Sequence, residues 1–281
     1  MSFKIVIGVN GDDGGSDAIA LARRLAPPAS ELIAVTVAVL DGHPSRAVSL
    51  DYDARIRHDA LTLIADVRSE NPDLQGEVQE APSVAAGLHD VCERLEADLV
   101  VVGSCRRGII GRILAGDDVR KTLRGAPLAV AVAPRDFAVS DQPITTIGLG
   151  WDNGPEADEA LAFARRLAEG TGAGIHAVSV VAVPPWDSSP LTGQPALAGA
   201  VEQAAELLAA LGDVEGTTVT GQTSAELTAF AAEVDVLVVG SHQRGPLGRI
   251  AMGSASEHLA RNATRPLVVV PRAAQPVITP V

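Results

Sequence analysis

A glycine-bearing loop at the end of an apolar run is the part of this sequence best suited to chemistry. The β-branched run 236–239 stops at Gly240, and Gly253 and Ser254 follow at the far end of the loop. Ser254 and Glu257 have the S-x-x-E spacing of a capping box, so Ser254 is expected to cap the next helix. The free backbone N–H groups of a helix N-terminus carry partial positive charge and bind phosphate. The stretch therefore predicts an anion site between a strand and a helix. A cap alone would account for the spacing without any ligand, since it stabilises a helix by about 1 kcal/mol.

A related stretch occurs in the first half, with different residues at the critical positions. The apolar run 99–102 ends at Gly103, and Gly116 and Asp117 follow the loop. Asp117 would cap its helix, but its carboxylate would face any bound phosphate. Two unit charges about 4 Å apart at an effective dielectric near 20 repel by about 4 kcal/mol. This first copy is therefore expected to bind no phosphate.

The elements that position these loops occur twice. Residues 22–26 and 164–168 both read Ala-Arg-Arg-Leu-Ala, and the order of predicted elements repeats around them. A period of this length indicates duplicated domains rather than a solenoid. We predict a first domain over 1–135, a linker over 136–143 and a second domain over 144–281.

Strands and helices alternate in each half. Strands are predicted at 5–9, 32–40, 76–78, 99–102 and 128–132, then at 147–152, 175–183, 217–220, 236–239 and 267–270. Helices are predicted at 17–26, 53–68 and 84–95, then at 196–211 and 224–232, with 10–16 as a loop. The pattern indicates an α/β fold with two tandem copies of a five-stranded parallel sheet flanked by helices. The order 3-2-1-4-5 would bring the loops after strands 1 and 4 together. The two fifth strands would be edges that need cover.

Composition narrows the classes of partner. The chain has 281 residues, 47% hydrophobic and 2% aromatic, which is typical of a core of Val, Leu, Ile and Ala. A net charge of −13 argues against binding to nucleic acid or to an anionic membrane surface. Two cysteines make no disulfide framework, no metal-ligand spacing occurs, and no apolar run approaches the ~20 residues of a membrane span. A cytoplasmic location is expected.

The loop resembles the nucleotide-binding signature of the universal stress protein family, G-x-x-G, nine residues, then G-S/T. Gly240, Gly253 and Ser254 match, and Gln243 stands where the second glycine is expected. The resemblance implies that ATP, or the related AMP or cyclic AMP, binds in the second half, with Mg²⁺ accompanying ATP. It also implies that an aspartate contacts the adenosine and a valine backbone lies against the adenine. The implied site consists of Asp152, Val180, Gly240, Gln243, Gly253, Ser254 and Ala255.

The matching positions of the first half depart from the signature. Asn10 stands where Asp152 does in the second half, and Arg106 replaces the second glycine. The implied but degenerate site consists of Asn10, Val37, Gly103, Arg106, Gly116 and Asp117.

These features favour a tandem universal stress protein that binds an adenine nucleotide as a regulatory ligand. By analogy with the family, the halves would pair through their fifth strands into an internal pseudo-dimer, and a homodimer of chains is a further hypothesis. The alternative is a nucleotide-independent interaction protein with degenerate sites in both halves. An enzyme of the same sheet type is disfavoured, because H-x-G-H, S-G-G-x-D-S and Walker A elements are missing. No catalytic residues or metal ligands are assigned, and a slow ATPase is the most that the sequence allows.

Overall fold

The structure is a computed structural model that describes residues 2–40, 49–104, 117–182, 193–241 and 249–272. For residues 49–50, 117–118 and 193–195 it describes the backbone alone. The first half contains β1 Lys4–Gly8, α1 Asp13–Leu25, β2 Glu31–Val39, α2 Ser49–Glu70, β3 Gln75–Ala81, α3 Val84–Leu95, β4 Leu99–Gly103, α4 Asp117–Leu123 and β5 Ala129–Ala133. The second half contains β6 Thr146–Gly150, α5 Pro155–Thr171, β7 Gly174–Ala182, α6 Gly193–Ala209, β8 Glu215–Gly221, α7 Thr223–Ala231, β9 Val236–Gly240, α8 Ser254–Asn262 and β10 Leu267–Val270.

The strands form one ten-stranded sheet with the order β3-β2-β1-β4-β5-β10-β9-β6-β7-β8. Within each half all pairings are parallel, and the order 3-2-1-4-5 is confirmed twice. The halves join through β5 and β10, which run antiparallel with Val268 opposite Ala131. This pairing covers both fifth strands, as expected of apolar edges in a folded protein.

Each face of the sheet carries its own apolar core, because successive side chains of a strand point to opposite faces. In β1, Ile5 and Ile7 belong to the core beneath α1, α2, α5 and α6. Val6 belongs to the other core, beneath α3, α4, α7 and α8. Both cores continue from one half into the other, so the halves share buried apolar surface.

Side chains also connect the halves on the α1 and α5 face. The rings of Phe3 and Phe163 lie 6.3 Å apart in a tilted arrangement. The guanidinium of Arg166 stacks over Phe3 at 4.9 Å from the ring centroid and donates to Asp98 at 2.5 Å. On the other face, Gly125 N–H donates to the carbonyl of Ile250 at 2.9 Å.

The first helix begins earlier than predicted. Residues 10–16 were expected to be a loop, but α1 already begins at Asp13. The carboxylate of Asp12 accepts a hydrogen bond from Gly14 N–H at 3.0 Å, which caps the helix. Gly14 and Gly15 therefore lie in the first turn of α1, where the cap outweighs their low helix propensity.

The segment between the halves, predicted as a linker, contains a 3₁₀ turn at Phe137–Val139. Asp17 of α1 holds this turn, since its carboxylate accepts from the N–H groups of Asp136 at 3.0 Å and Ala138 at 2.8 Å. Burial raises the pKa of Asp17 above its usual value, and the two backbone donors offset part of that effect. The segment is thus attached to the first half by two partly buried hydrogen bonds to a buried carboxylate.

None of the helices in the described part of the chain is long and apolar enough to cross a membrane.

Candidate functional site

A cleft of about 410 Å³ lies at the carboxyl ends of β6 and β9, within the usual size range of ligand pockets. These strands are neighbours, with Gly150 opposite Val239. In the order of the second half, β7 lies on the other side of β6 and β10 on the other side of β9, so the cleft occupies the topological switch point. Its lining consists of Gly150, Trp151, Asp152, Glu156, Ala157, Val178, Val180, Thr223, Leu227, Val239, Gly240, Ser241, Gly253, Ser254, Ala255, Ser256 and Leu259.

Asp152 lies at the rim, directly after β6. Its Oδ1 accepts a hydrogen bond from Gly154 N–H at 3.0 Å, and Asn153 between them adopts a left-handed conformation with φ of 58°. Asp152 therefore forms the turn into α5, as its Asp-Asn-Gly sequence would do without any ligand. Its side chain is exposed, and its Oδ2 accepts no bond from the residues the structure describes.

Gly240 ends β9 where α5 begins to pack against the sheet. A Cβ at this position would lie 2.5 Å from the carbonyl oxygen of Glu156 and 3.0 Å from its Cβ. Gly103 has the same role in the first half, where a Cβ would lie 1.9 Å from the carbonyl oxygen of Gly14. Packing between strand and helix thus accounts for both glycines before any ligand is considered.

Helix α8 begins one residue away from the position expected. Ser254 was predicted to be the N-cap with Glu257 at the third helical position, but the N-cap is Gly253, whose backbone is extended at φ −90° and ψ 174°. Ser256 lies at the third helical position, and its Oγ accepts from Gly253 N–H at 3.0 Å. The prediction was wrong because S-x-x-E spacing does not reveal where the extended backbone ends. Ser254 is the first helical residue, and it is exposed.

This register leaves the donors of the helix end available. The N–H groups of Ser254, Ala255 and Ser256 have no carbonyl partner within the helix, since the first intrahelical bond runs from Glu257 N–H to Gly253 at 2.9 Å. All three residues line the cleft. An anionic group in the cleft would therefore meet backbone donors and the positive end of the helix dipole.

Three buried polar groups of the cleft find no hydrogen-bond partner among the described residues. They are the Trp151 Nε1–H, the Ser241 hydroxyl and both carboxylate oxygens of Glu156. Glu156 is only 4% exposed, and its nearest cation is Arg272, at 3.5 Å from Nη1 to Oε1. Buried polar groups in folded proteins are nearly always satisfied, so this cluster indicates a place for water or a ligand.

Sequence reasoning missed Glu156. It follows the first strand of the second half by a few residues and reads as an ordinary acid in the first turn of a helix. Its burial arises from the contact with Gly240, a contact between elements far apart in the chain. The only feature of the sequence that could have indicated a role for Glu156 is its position directly after the short turn at Asp152.

The remaining predicted residues of the second half either line the cleft or lie outside the described chain. Val180, in β7 and paired with Val219 of β8, forms an apolar wall with Val178 and Leu227. Ala255, in the first turn of α8, also lines the cleft. Gln243 lies outside the described residues.

Part of the predicted first-half site can be compared. Asn10 donates from Nδ2 to Asp12 Oδ2 at 3.3 Å. Val37 lies in β2 and Asp117 opens α4. Arg106 and Gly116 lie outside the described residues. The position of Glu156 is occupied in this half by Gly14, at the same offset that relates Asn10 to Asp152.

The groups that line the cleft are suited to binding a polar ligand. Its described lining provides amide and hydroxyl donors, carboxylate acceptors and apolar surface, but no histidine, cysteine, lysine or arginine. Elsewhere in the described chain, no group of three His, Cys, Asp or Glu could hold a metal ion. The buried thiol of Cys92 lies in the core, where burial raises its pKa to about 12.

Comparison with known proteins agrees with this architecture. The model of the universal stress protein family matches the chain twice, at residues 1–134 and 143–271. A universal stress protein of Mycolicibacterium smegmatis is 30% identical over 223 residues, which cover 75% of this chain and 74% of that protein. One of Mycobacterium tuberculosis is 29% identical over 202 residues, covering 67% and 69%.

A solved universal stress protein from Archaeoglobus fulgidus has the same fold, with a TM-score of 0.70 and 18% identity. The superposition covers 96% of this chain and 98% of that one. The duplicated sequence, the strand order and the two family matches lead to one conclusion. This chain belongs to the universal stress protein family, in its tandem form.

Proposed function

We propose that the second half binds an adenine nucleotide in the cleft between β6 and β9, as a regulatory ligand in a stress response. One observation carries the proposal. The open N-terminus of α8 and the two residues expected at the nucleoside, Asp152 and Val180, line the same cleft. Six of the seven residues expected at the site are in its lining, and Gln243 is the one outside the described residues.

The phosphate groups would lie at the N-terminus of α8. Here the N–H groups of Ser254, Ala255 and Ser256 supply donors in a chain whose net charge is −13. The described lining contains no basic side chain, and Arg272 pairs with Glu156, so these amides and the helix dipole supply the positive potential at the helix end. Mg²⁺ would accompany ATP, since it commonly binds through phosphate oxygens and one or two carboxylates.

The adenosine would lie against the other wall. Val178, Val180 and Leu227 provide apolar contact for a planar base. Asp152 retains one carboxylate oxygen for a donor on the ligand. Such a wall with a few polar groups is typical of small-molecule sites.

Binding in the second half alone follows from differences between the two copies. Asp117 stands at the start of α4 where Ser254 starts α8, and Asn10 stands in place of Asp152. A carboxylate at the phosphate position would lower affinity by about a thousandfold. We therefore expect one nucleotide per chain. The proposal also includes a cytoplasmic location and an internal pseudo-dimer of the two halves.

The alternative is a nucleotide-independent interaction protein. It is favoured by the two carboxylates in the cleft and by the side chain of Gln243 in place of a glycine. The packing of Gly240 against α5 also accounts for that glycine without a ligand.

Titration calorimetry with ATP and Mg²⁺ distinguishes the two proposals. We expect a stoichiometry near one, and mass spectrometry of freshly purified protein should detect an adenine nucleotide. A stoichiometry near two would contradict the degenerate first site. Absence of heat with micromolar protein and millimolar ATP would favour the interaction protein.

A further inference from the structure

The carboxylate of Glu156 is the least satisfied polar group of the cleft. Neither of its oxygens accepts a hydrogen bond from the described residues, although the residue is 4% exposed. Arg272 lies 3.5 Å away, which is an ion pair without hydrogen-bond geometry. Burial of a carboxylate is unfavourable unless donors compensate for the lost water. The carboxylate lines the cleft and lacks the donors that would compensate for its burial.

Glu156 lies where the two halves of a nucleotide would meet. It belongs to the first turn of α5, directly after the loop that carries Asp152. Its backbone packs against Gly240, which ends the neighbouring strand β9. The expected base wall lies beyond β6 on β7, and the expected phosphate site lies at α8. The ribose, which connects base and phosphate, must therefore pass close to Glu156.

We propose that Glu156 accepts hydrogen bonds from the vicinal hydroxyl groups of the ribose, so that the cleft selects nucleotides with free 2′ and 3′ hydroxyls. This inference rests on the proposed nucleotide-binding function. A carboxylate is acceptor-only and has two oxygens, and a vicinal diol presents two adjacent O–H donors. Acidic side chains bind ribose hydroxyls in other α/β sheets by the same chemistry.

Charge and hydrogen bonding favour one orientation of the ligand. Phosphate oxygens beside Glu156 would meet a buried carboxylate whose charge Arg272 offsets only in part, whereas the N-terminus of α8 offers three free amides. Hydroxyl donors at Glu156 and phosphate at α8 satisfy both ends of the cleft. As a consequence, AMP and ATP should bind more tightly than 3′,5′-cyclic AMP, whose 3′ oxygen carries no proton.

The test compares ATP with 2′-deoxy-ATP and 3′-deoxy-ATP by titration calorimetry, in the full chain and in Glu156→Ala. The full chain should bind each deoxynucleotide about tenfold to a hundredfold more weakly than ATP. In Glu156→Ala the three affinities should become nearly equal. Asp158→Ala is the matched control, because this acid lies in the same turn of α5 but is exposed and outside the cleft lining. It should keep the preference of the full chain.

The outcomes separate this inference from the function on which it rests. If the full chain binds ATP but does not discriminate against either deoxynucleotide, the role of Glu156 is overturned and nucleotide binding stands. If Glu156→Ala changes the Mg²⁺ dependence of ATP binding and leaves the deoxy preference intact, Glu156 binds the cation and the inference is overturned. If the full chain binds no nucleotide, both fail. Should Glu156→Ala not fold, Glu156→Gln takes its place: it keeps the size of the side chain and removes one of its two acceptor oxygens, so the preference for ATP over the deoxynucleotides should shrink, and an unchanged preference would overturn the inference.

Discussion

Replacing Ser254 by aspartate tests the phosphate site most directly. Ser254 is the first residue of α8, it is exposed, and its N–H is one of three free donors at the helix end. The substitution adds one negative charge at this point and copies the residue that opens α4, Asp117.

The expected loss of affinity follows from the distance between charges. A carboxylate about 4 Å from a phosphate oxygen at an effective dielectric near 20 costs about 4 kcal/mol, or about a thousandfold in Kd. Because Ser254 is exposed, salt screens part of this repulsion, and we expect at least about tenfold near 0.15 M ionic strength. Stability should change little, since a negative charge in the first turn of a helix gains about 0.3–1 kcal/mol.

The assay is calorimetric titration with ATP and Mg²⁺, accompanied by thermal unfolding without nucleotide. Ser254→Asn is the matched control, because it has nearly the size of aspartate without its charge. It should bind ATP within a few-fold of the unmodified chain. Equal ATP affinity in Ser254→Asp and the unmodified chain would refute the assignment of phosphate to α8, and equal losses in both variants would assign the effect to size.

Two further predictions concern packing and pH. Gly240→Ala should lower the free energy of unfolding by about 1–3 kcal/mol, because the new Cβ would lie 2.5 Å from the carbonyl oxygen of Glu156. Denaturant titration measures this change. An unchanged unfolding midpoint would contradict the close approach of α5 to β9. Asp235→Asn should make stability less dependent on pH below about 4. Burial alone would raise the pKa of Asp235, but hydrogen bonds from Thr145 and Thr146 outweigh it and hold the pKa below its usual value. Its stabilisation is therefore present above the unfolded pKa and is lost as the pH falls through the folded one; equal acid transitions of both proteins would contradict this.

Local sequence patterns predicted the repeated unit well. The apolar runs that end at Gly103 and Gly240 indicated buried parallel strands, and the structure ends β4 and β9 at these residues. Strand order followed as well, because right-handed crossovers allow few arrangements of alternating strands and helices. Six of the seven residues expected around a nucleotide line one cleft, since both relevant loops follow adjacent strands β6 and β9, and Gln243 lies outside the described residues.

Helix starts were less predictable. Helix α1 begins at Asp13, in a segment that the sequence indicated to be a loop. Helix α8 is capped by Gly253, although the sequence indicated Ser254 as the cap. In both cases the start depends on where extended backbone ends, and that point is fixed by hydrogen bonds such as the one that Gly253 N–H donates to Ser256 Oγ. Capping motifs overlap in sequence, so spacing alone does not choose between them.

The amino-acid sequence by itself determined the duplication, the parallel sheets and the position of the cleft, because these depend on periodicity and on where strands end. Only the tertiary structure decided what the cleft contains. Glu156 is buried because α5 packs against Gly240 so closely that a Cβ would not fit there. Arg272, which follows the last strand, is the cation that approaches it. Both contacts join residues distant in the chain, and burial of this kind depends on the packing of the whole fold rather than on local pattern.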